Sequence, residues 1–199
     1  MSPGRGDGPF LPALQAVEGL IRAGGPPVLV AVDGRCGSGK TGLGALLGRT
    51  FSCAVFHMDD FYLPAERRMP DWAAVPGGNM DLARFRREVL LPAKAGKSVL
   101  YRPYGCREDR LLPPVSVPPA PLAVVEGSYS QHPALADLYD LRIFLTCSRE
   151  EQARRLRARE GERFRAFEAR WIPMEERYFR VCGLPGDGAL VLDTTDLFA

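Results

Sequence analysis

One eight-residue segment restricts the fold of this chain more than any other. Gly34-Arg35-Cys36-Gly37-Ser38-Gly39-Lys40-Thr41 follows the β-branched run Val28-Leu29-Val30-Ala31-Val32 and precedes Leu43, Leu46, Leu47 and Phe51 at helical spacing. Short runs of the first kind are buried on both faces in parallel sheets. Between strand and helix, glycines let the backbone curl so that successive N–H groups point inward at an anion, and the helix N-terminus adds its positive end. The letters match the phosphate-binding loop pattern in full, and the order strand, loop, helix is the setting that pattern needs. A nucleoside triphosphate site is therefore expected, with ATP and Mg2+ as cofactors. The cradle would be Gly34, Arg35, Cys36, Gly37, Ser38 and Gly39, Lys40 would reach the outer phosphates, and the Thr41 hydroxyl would ligate magnesium. Cys36 takes a free position of the loop and reads as a small filler.

Around this segment the periodicity alternates between two and 3.6. Leu11, Leu14, Val17 and Ile21 mark a helix that Gly24-Gly25-Pro26-Pro27 stops. Further strands are expected at Ala54–Phe56, Leu122–Val125, Leu141–Leu145 and Ala189–Leu192. Leu82, Phe85 and Val89 read as a helix capped by Asn79 or Asp81. The Pro- and Gly-rich stretch 63–80 reads as a surface loop, and 102–121, with six prolines, as an irregular excursion. An arginine-rich helical stretch covers 149–180, with an interruption at Pro173. Strands alternating with helices imply parallel βαβ units, so the fold class is α/β. Residues 1–9 are expected as a flexible tail before one domain spanning 10–199.

Composition removes several alternatives. A net charge of +2 offers no bulk polycation for nucleic acid. No apolar run approaches the ~20 residues of a membrane span, and the first nine residues lack a signal peptide's apolar core. Five cysteines without a Cys-x-x-Cys pair argue against a disulfide framework and for a reducing compartment, the cytoplasm. Two histidines, His57 and His132, leave no room for multi-His metal chemistry. Self-association is left open.

The chemistry beyond nucleotide binding is narrowed by the motifs the chain lacks. A switch GTPase needs an Asn-Lys-x-Asp reader, and the one asparagine, Asn79, precedes Met80. Hydrolytic ATPases carry an Asp-Glu pair after the magnesium strand, whereas Val124-Val125 ends in a lone Glu126. A small-molecule kinase needs a carboxylate to take the acceptor hydroxyl's proton as the phosphoryl group departs. Asp59, with Asp60, Phe61 and Tyr62, closes the second strand and would face the same crevice as the loop.

Together, Val32 through Thr41, His57-Met58-Asp59-Asp60-Phe61-Tyr62-Leu63-Pro64 and Val124-Val125-Glu126-Gly127 resemble the uridine kinase and phosphoribulokinase family of P-loop kinases. Asn79-Met80-Asp81, Tyr101-Arg102-Pro103-Tyr104 and Trp171–Glu176 extend the resemblance over about 28–180. It implies a three-layer fold with a parallel sheet of about five strands and a mobile arginine-bearing lid helix. It also implies Asp59 as general base, Glu126 near magnesium, and Asp60, Tyr62, Asp81, Arg102 and Tyr104 about the acceptor. On the lid, Arg155, Arg159 and Arg163 recur every four residues, and Arg159 is the best match to a phosphate-contacting arginine. Phe164, Phe167 and Trp171 read as core packing, and His57 as a satisfied strand-end histidine. Departures, notably Gly105-Cys106-Arg107 after Tyr104 where relatives often have a His, count against uridine itself. The expected activity is phosphoryl transfer from ATP to a hydroxyl of a small metabolite, a nucleoside first. Nicotinamide riboside, pantothenate and sugar phosphates are alternative acceptors; a nucleotide-binding regulatory protein without turnover and a stand-alone triphosphatase are rival classes.

Overall fold

The computed structural model describes residues 8–197. The expected tail at 1–7 lies outside them, but Gly8 and Pro9 belong to a 3₁₀ turn, Gly8–Phe10, whose Phe10 is buried. That turn leads into α1 (Leu11–Ala23), β1 (Val28–Gly34), α2 (Lys40–Phe51) and β2 (Ala54–His57). A helical segment comes after these, made of α3 (Leu82–Phe85), a π-helical turn (Arg86–Leu90) and α4 (Leu91–Lys94). Four short strands come next: β3 (Val99–Tyr101), β4 (Tyr104–Gly105), β5 (Arg110–Leu111) and β6 (Val115–Val117). The chain ends with β7 (Leu122–Glu126), β8 (Leu141–Thr146), α5 (Arg149–Glu160), α6 (Phe164–Ala166), α7 (Ile172–Cys182) and β9 (Leu190–Asp193).

Five strands form one sheet in the order β2-β7-β1-β8-β9, and every pairing is parallel. These are the five expected strands, each within a residue or two of its sequence bounds. Because side chains alternate along a strand, β1 feeds two cores. Leu29 joins Phe56, Val125 and Phe144 beneath Phe85, Val89 and Leu90 of the segment 82–94 and Tyr178 and Phe179 of α7. Val30 and Val32 join Val124, Ile143 and Leu145 beneath Ala13 and Val17 of α1 and Leu43 and Leu47 of α2. Helices thus cover both faces, in three layers. Among the described residues, no helix is long and apolar enough to cross a membrane.

Two expectations need correction. The stretch 102–121 is not irregular, because β3 pairs antiparallel with β6 and β4 with β5. Strands of two or three residues carry too little alternation to be read, and Pro103, Pro113 and Pro114 lie between them rather than inside them. The arginine-rich helix breaks at Gly161, which ends α5 with φ 57°. At Pro173 the chain stays helical, but the α-helical pattern is disturbed just before it by a π-helical turn, Phe167–Trp171, that leads into α7. Arg163 therefore falls in a 3₁₀ turn, Gly161–Arg163, off the helix that carries Arg155 and Arg159.

The sheet admits the phosphate loop only through a close backbone contact. Gly34, at φ 131°, passes so near β8 that an added Cβ would stand 1.9 Å from the Leu145 carbonyl oxygen. Gly34→Ala combines a left-handed conformation with a clash against backbone that cannot retreat. It is expected to lower stability by about 3 kcal/mol or more, read as a fall in the urea midpoint at unchanged slope.

Candidate active site

The sheet register assembles the site. β7 lies between β2 and β1, and Glu126 is the register partner of both His57 and Val32. The carboxyl ends of three adjacent strands thus deliver the 3₁₀ turn Met58–Phe61, Glu126 and the phosphate loop to one edge, where parallel sheets bind ligands. A cavity of about 710 Å³ opens there. Its walls include Cys36, Gly37, Gly39, Lys40 and Thr41 of the loop, Asp59 and Tyr62 after β2, Glu126, and Arg155 and Arg159 of α5.

Within the loop, Gly37 and Gly39 take φ 77° and 97°, the left-handed turns that glycine permits. The Lys40 ammonium donates to the carbonyls of Gly34 (2.5 Å) and Arg35 (3.0 Å). The Thr41 hydroxyl donates to Glu126 Oε2 at 3.2 Å, while Glu126 Oε1 meets His57 Nδ1 at 2.6 Å. A hydroxyl and a carboxylate are hard oxygen donors of the kind Mg2+ takes from protein, with phosphates and water completing its shell. Among the described residues no cluster of three or more His, Cys, Asp or Glu could hold a metal by itself. The donor set fits a magnesium ion shared with a nucleotide.

Two loop side chains stay out of the cavity. Arg35 turns to the opposite side, pairing with Glu176 at 2.7 Å and with the Thr146 hydroxyl, and its N–H is taken by the Leu145 carbonyl. Ser38 is fully buried, its N–H taken by the Arg35 carbonyl and its Oγ without a protein partner.

Asp59 faces the open cavity, yet the protein around it removes enough hydration to raise its carboxyl above the ordinary carboxylate range. The Tyr62 hydroxyl opposes that rise, the neighbouring Glu126 adds to it, and Lys40 and His57 oppose it. A carboxyl raised in this way takes up a proton more readily than an ordinary surface carboxylate.

The remaining expected residues lie elsewhere. Asp60 accepts from the Tyr101 hydroxyl at 3.2 Å. Asp81 caps α3 by accepting from Arg84 N–H at 3.2 Å and meets Arg67 and Arg84, each at 3.5 Å. Arg102 ties the carbonyls of Leu111 and Leu112 at 2.8 and 2.7 Å, and Tyr104 bonds Asp109. None of these four lines the cavity, nor does Arg163, which pairs with Glu160 at 3.2 Å. Arg155 and Arg159 do line it. Arg155 grips the Gly37 carbonyl at 3.2 Å and the Thr194 carbonyl at 2.5 Å, while Arg159 pairs with Glu160 at 2.8 Å.

Sequence reasoning missed other walls. Phe164 is buried as expected, but Phe167 and Trp171 line the cavity instead of the core. Asn79, Ser128 and Glu175 line it too. Asn79 is buried with its Oδ1 unpartnered. Asn79 and Glu175 both fall in segments that carry the family resemblance. That signal marks a region and does not say which side chain turns inward.

The two histidines should titrate on opposite sides of their ordinary value. Glu126 holds the His57 imidazolium above 6.5, burial opposing it only in part, whereas burial lowers His132 despite its bond to the Pro76 carbonyl. The stability His57 contributes is whole below its unfolded value and is lost as pH rises through its folded midpoint. An NMR titration should show two imidazole midpoints flanking 6.5, and His57→Gln should remove the upper one.

No protein-family model matches the chain, and no curated protein matches it. Solved structures do. A possible uridine kinase from Bacillus stearothermophilus superposes with a TM-score of 0.68 at 18% identity, over 92% of this chain and 100% of that one. A candidate fructose transport system kinase from Silicibacter sp. TM1040 gives 0.69 at 22% identity, over 89% and 97%. A D-glycerate 3-kinase from Cryptococcus neoformans var. grubii gives 0.57 at 17% identity, over 87% and 88%. The chain has the three-layer α/β fold of these structures.

Proposed function

We propose that this protein is an ATP- and magnesium-dependent phosphotransferase, similar to uridine kinases, that moves the terminal phosphoryl group of ATP to a hydroxyl of a small metabolite, with a nucleoside as the leading acceptor class. One observation carries the reading: the phosphate loop, the Thr41–Glu126 oxygen pair and the raised carboxyl of Asp59 open into a single cavity. A carboxylate there serves water or an alcohol equally as a base, and it is the resemblance to kinases together with the lone Glu126, in place of an Asp-Glu pair, that favours an alcohol acceptor. Uridine and D-glycerate, in the names of two structures with this fold, are both alcohols.

In this reading Asp59 receives the proton of the acceptor hydroxyl, and its raised affinity for protons makes it a competent base. Lys40 leaves the loop carbonyls to meet the outer phosphates. Arg159 has its guanidinium at the cavity wall, where it can offset charge spreading over the transferred group. Thr41 and Glu126 hold magnesium, which when bound neutralises phosphate charge. Glu126 is itself steadied by His57. Phe167 and Trp171 give the cavity an apolar wall that excludes water from the reacting groups.

The test is ADP release measured against uridine, cytidine, nicotinamide riboside, pantothenate and sugar phosphates. Release that rises with one acceptor supports the proposal. Release indifferent to all of them indicates a triphosphatase, and binding without release a regulatory nucleotide-binding protein. Asp59→Asn should leave ATP affinity within about threefold and lower acceptor-dependent turnover roughly 10³-fold. A mutant that keeps its turnover would remove Asp59 from the base role.

A further inference from the structure

The cavity contains a carboxylate for which phosphoryl transfer has no use. Glu175 stands in the first turn of α7 and is only 5% exposed. Its Oε2 accepts the backbone N–H of Cys36 at 2.8 Å. Its Oε1 accepts the Ser128 hydroxyl at 2.7 Å and stands 3.9 Å from the Lys40 ammonium. A loop amide, a loop ammonium and a hydroxyl from the connection after β7 thus converge on one anion. Two of the three belong to the loop whose geometry is built to take phosphate. The position is held on either side. Glu176 is pinned by Arg35 at 2.7 Å, and Tyr178 donates to the buried carboxylate of Asp33 at 2.8 Å.

The Cys36 N–H cannot serve two anions, and a second negative group beside Glu175 would meet like charge in a water-poor site. We infer that Glu175 is an internal anion that occupies the terminal-phosphoryl seat of the loop when no nucleotide is bound, so that it sets the discrimination between nucleoside triphosphate and diphosphate. A triphosphate must displace the carboxylate to reach the Cys36 N–H, whereas a diphosphate, one phosphoryl group shorter, meets Lys40 and leaves that N–H with Glu175. This inference rests on the proposed function only in that the loop binds adenine nucleotides.

Calorimetric titration of the full chain with adenylyl imidodiphosphate and with ADP, both with magnesium and without acceptor, tests it. Glu175→Gln keeps the size and one acceptor oxygen but removes the charge. It should tighten the triphosphate analogue about tenfold while leaving ADP within about twofold. Ser128→Ala, which loosens the carboxylate without neutralising it, should shift the same ratio in the same direction by a smaller factor. It also decides the matter alone if Glu175→Gln melts too early to titrate. Equal shifts for both nucleotides, no shift, or selective loss of the triphosphate would overturn the inference. If the unmodified protein binds neither nucleotide, the proposed function falls first, an outcome distinct from binding without altered discrimination.

Discussion

A single buried carboxylate holds the site together. Asp33, fully buried one residue before the end of β1, accepts Gly34 N–H at 2.7 Å on one oxygen, and Gln131 N–H at 2.9 Å and the Tyr178 hydroxyl at 2.8 Å on the other. Burial pushes its carboxyl up to about 6, while Lys40 and the three donors hold it down, so it is ionised at neutral pH. Three donors aimed at one point require an acceptor there, and losing it would leave all of them buried and unpaired. The donors come from the mouth of the phosphate loop, from the connection after β7 that carries Ser128, and from α7, which carries Glu175. Asp33 thereby sets the spacing of the pieces that enclose the phosphate seat.

The loop is gripped from outside as well. Arg35 reaches across to Glu176 and Thr146, and Gln152 of α5 donates to the Cys36 carbonyl at 3.0 Å. Arg155 joins the Gly37 carbonyl to Thr194 beyond β9. These contacts tie α5 and α7 to the loop itself, not merely to the sheet. An arginine that looks like a free lid cation in the sequence is, in the case of Arg155, part of the scaffold that shapes the cradle.

The far side of the cavity is built differently. Trp72, from the loop after β2, approaches Trp171 to 6.4 Å between ring centroids, and the Arg170 guanidinium sits over both rings at 4.6 and 5.3 Å. Tyr62 and Asn79 line the cavity with Trp171, and this stretch of chain is joined by a bond from Leu63 N–H to the Asn79 carbonyl at 2.8 Å and by the Tyr62–Met80 bridge. This end of the cavity therefore depends on irregular chain clasped by aromatic and cationic side chains, whereas the phosphate-loop end depends on the sheet.

Local pattern alone determined the strand–loop–helix cradle, the five parallel strands and the placement of Asp59 and Glu126 at strand ends, because each is set by glycine chemistry or by side-chain alternation over a few residues. The cap at Asp81 was legible for the same reason, and its mixed company of Arg67 and Arg84 was not. Only the tertiary structure decided that Gly161 breaks the arginine helix, that Asp81, Arg102 and Tyr104 spend their polar groups on structure, and that Phe167 and Trp171 face the cavity. Glu175 is the sharpest case, since a glutamate beside another glutamate on an amphipathic helix has no local mark of its destination. Its meeting with Cys36, 139 residues away, comes from how α7 is seated by Asp33 and Arg35, and such seating is a property of the packed whole.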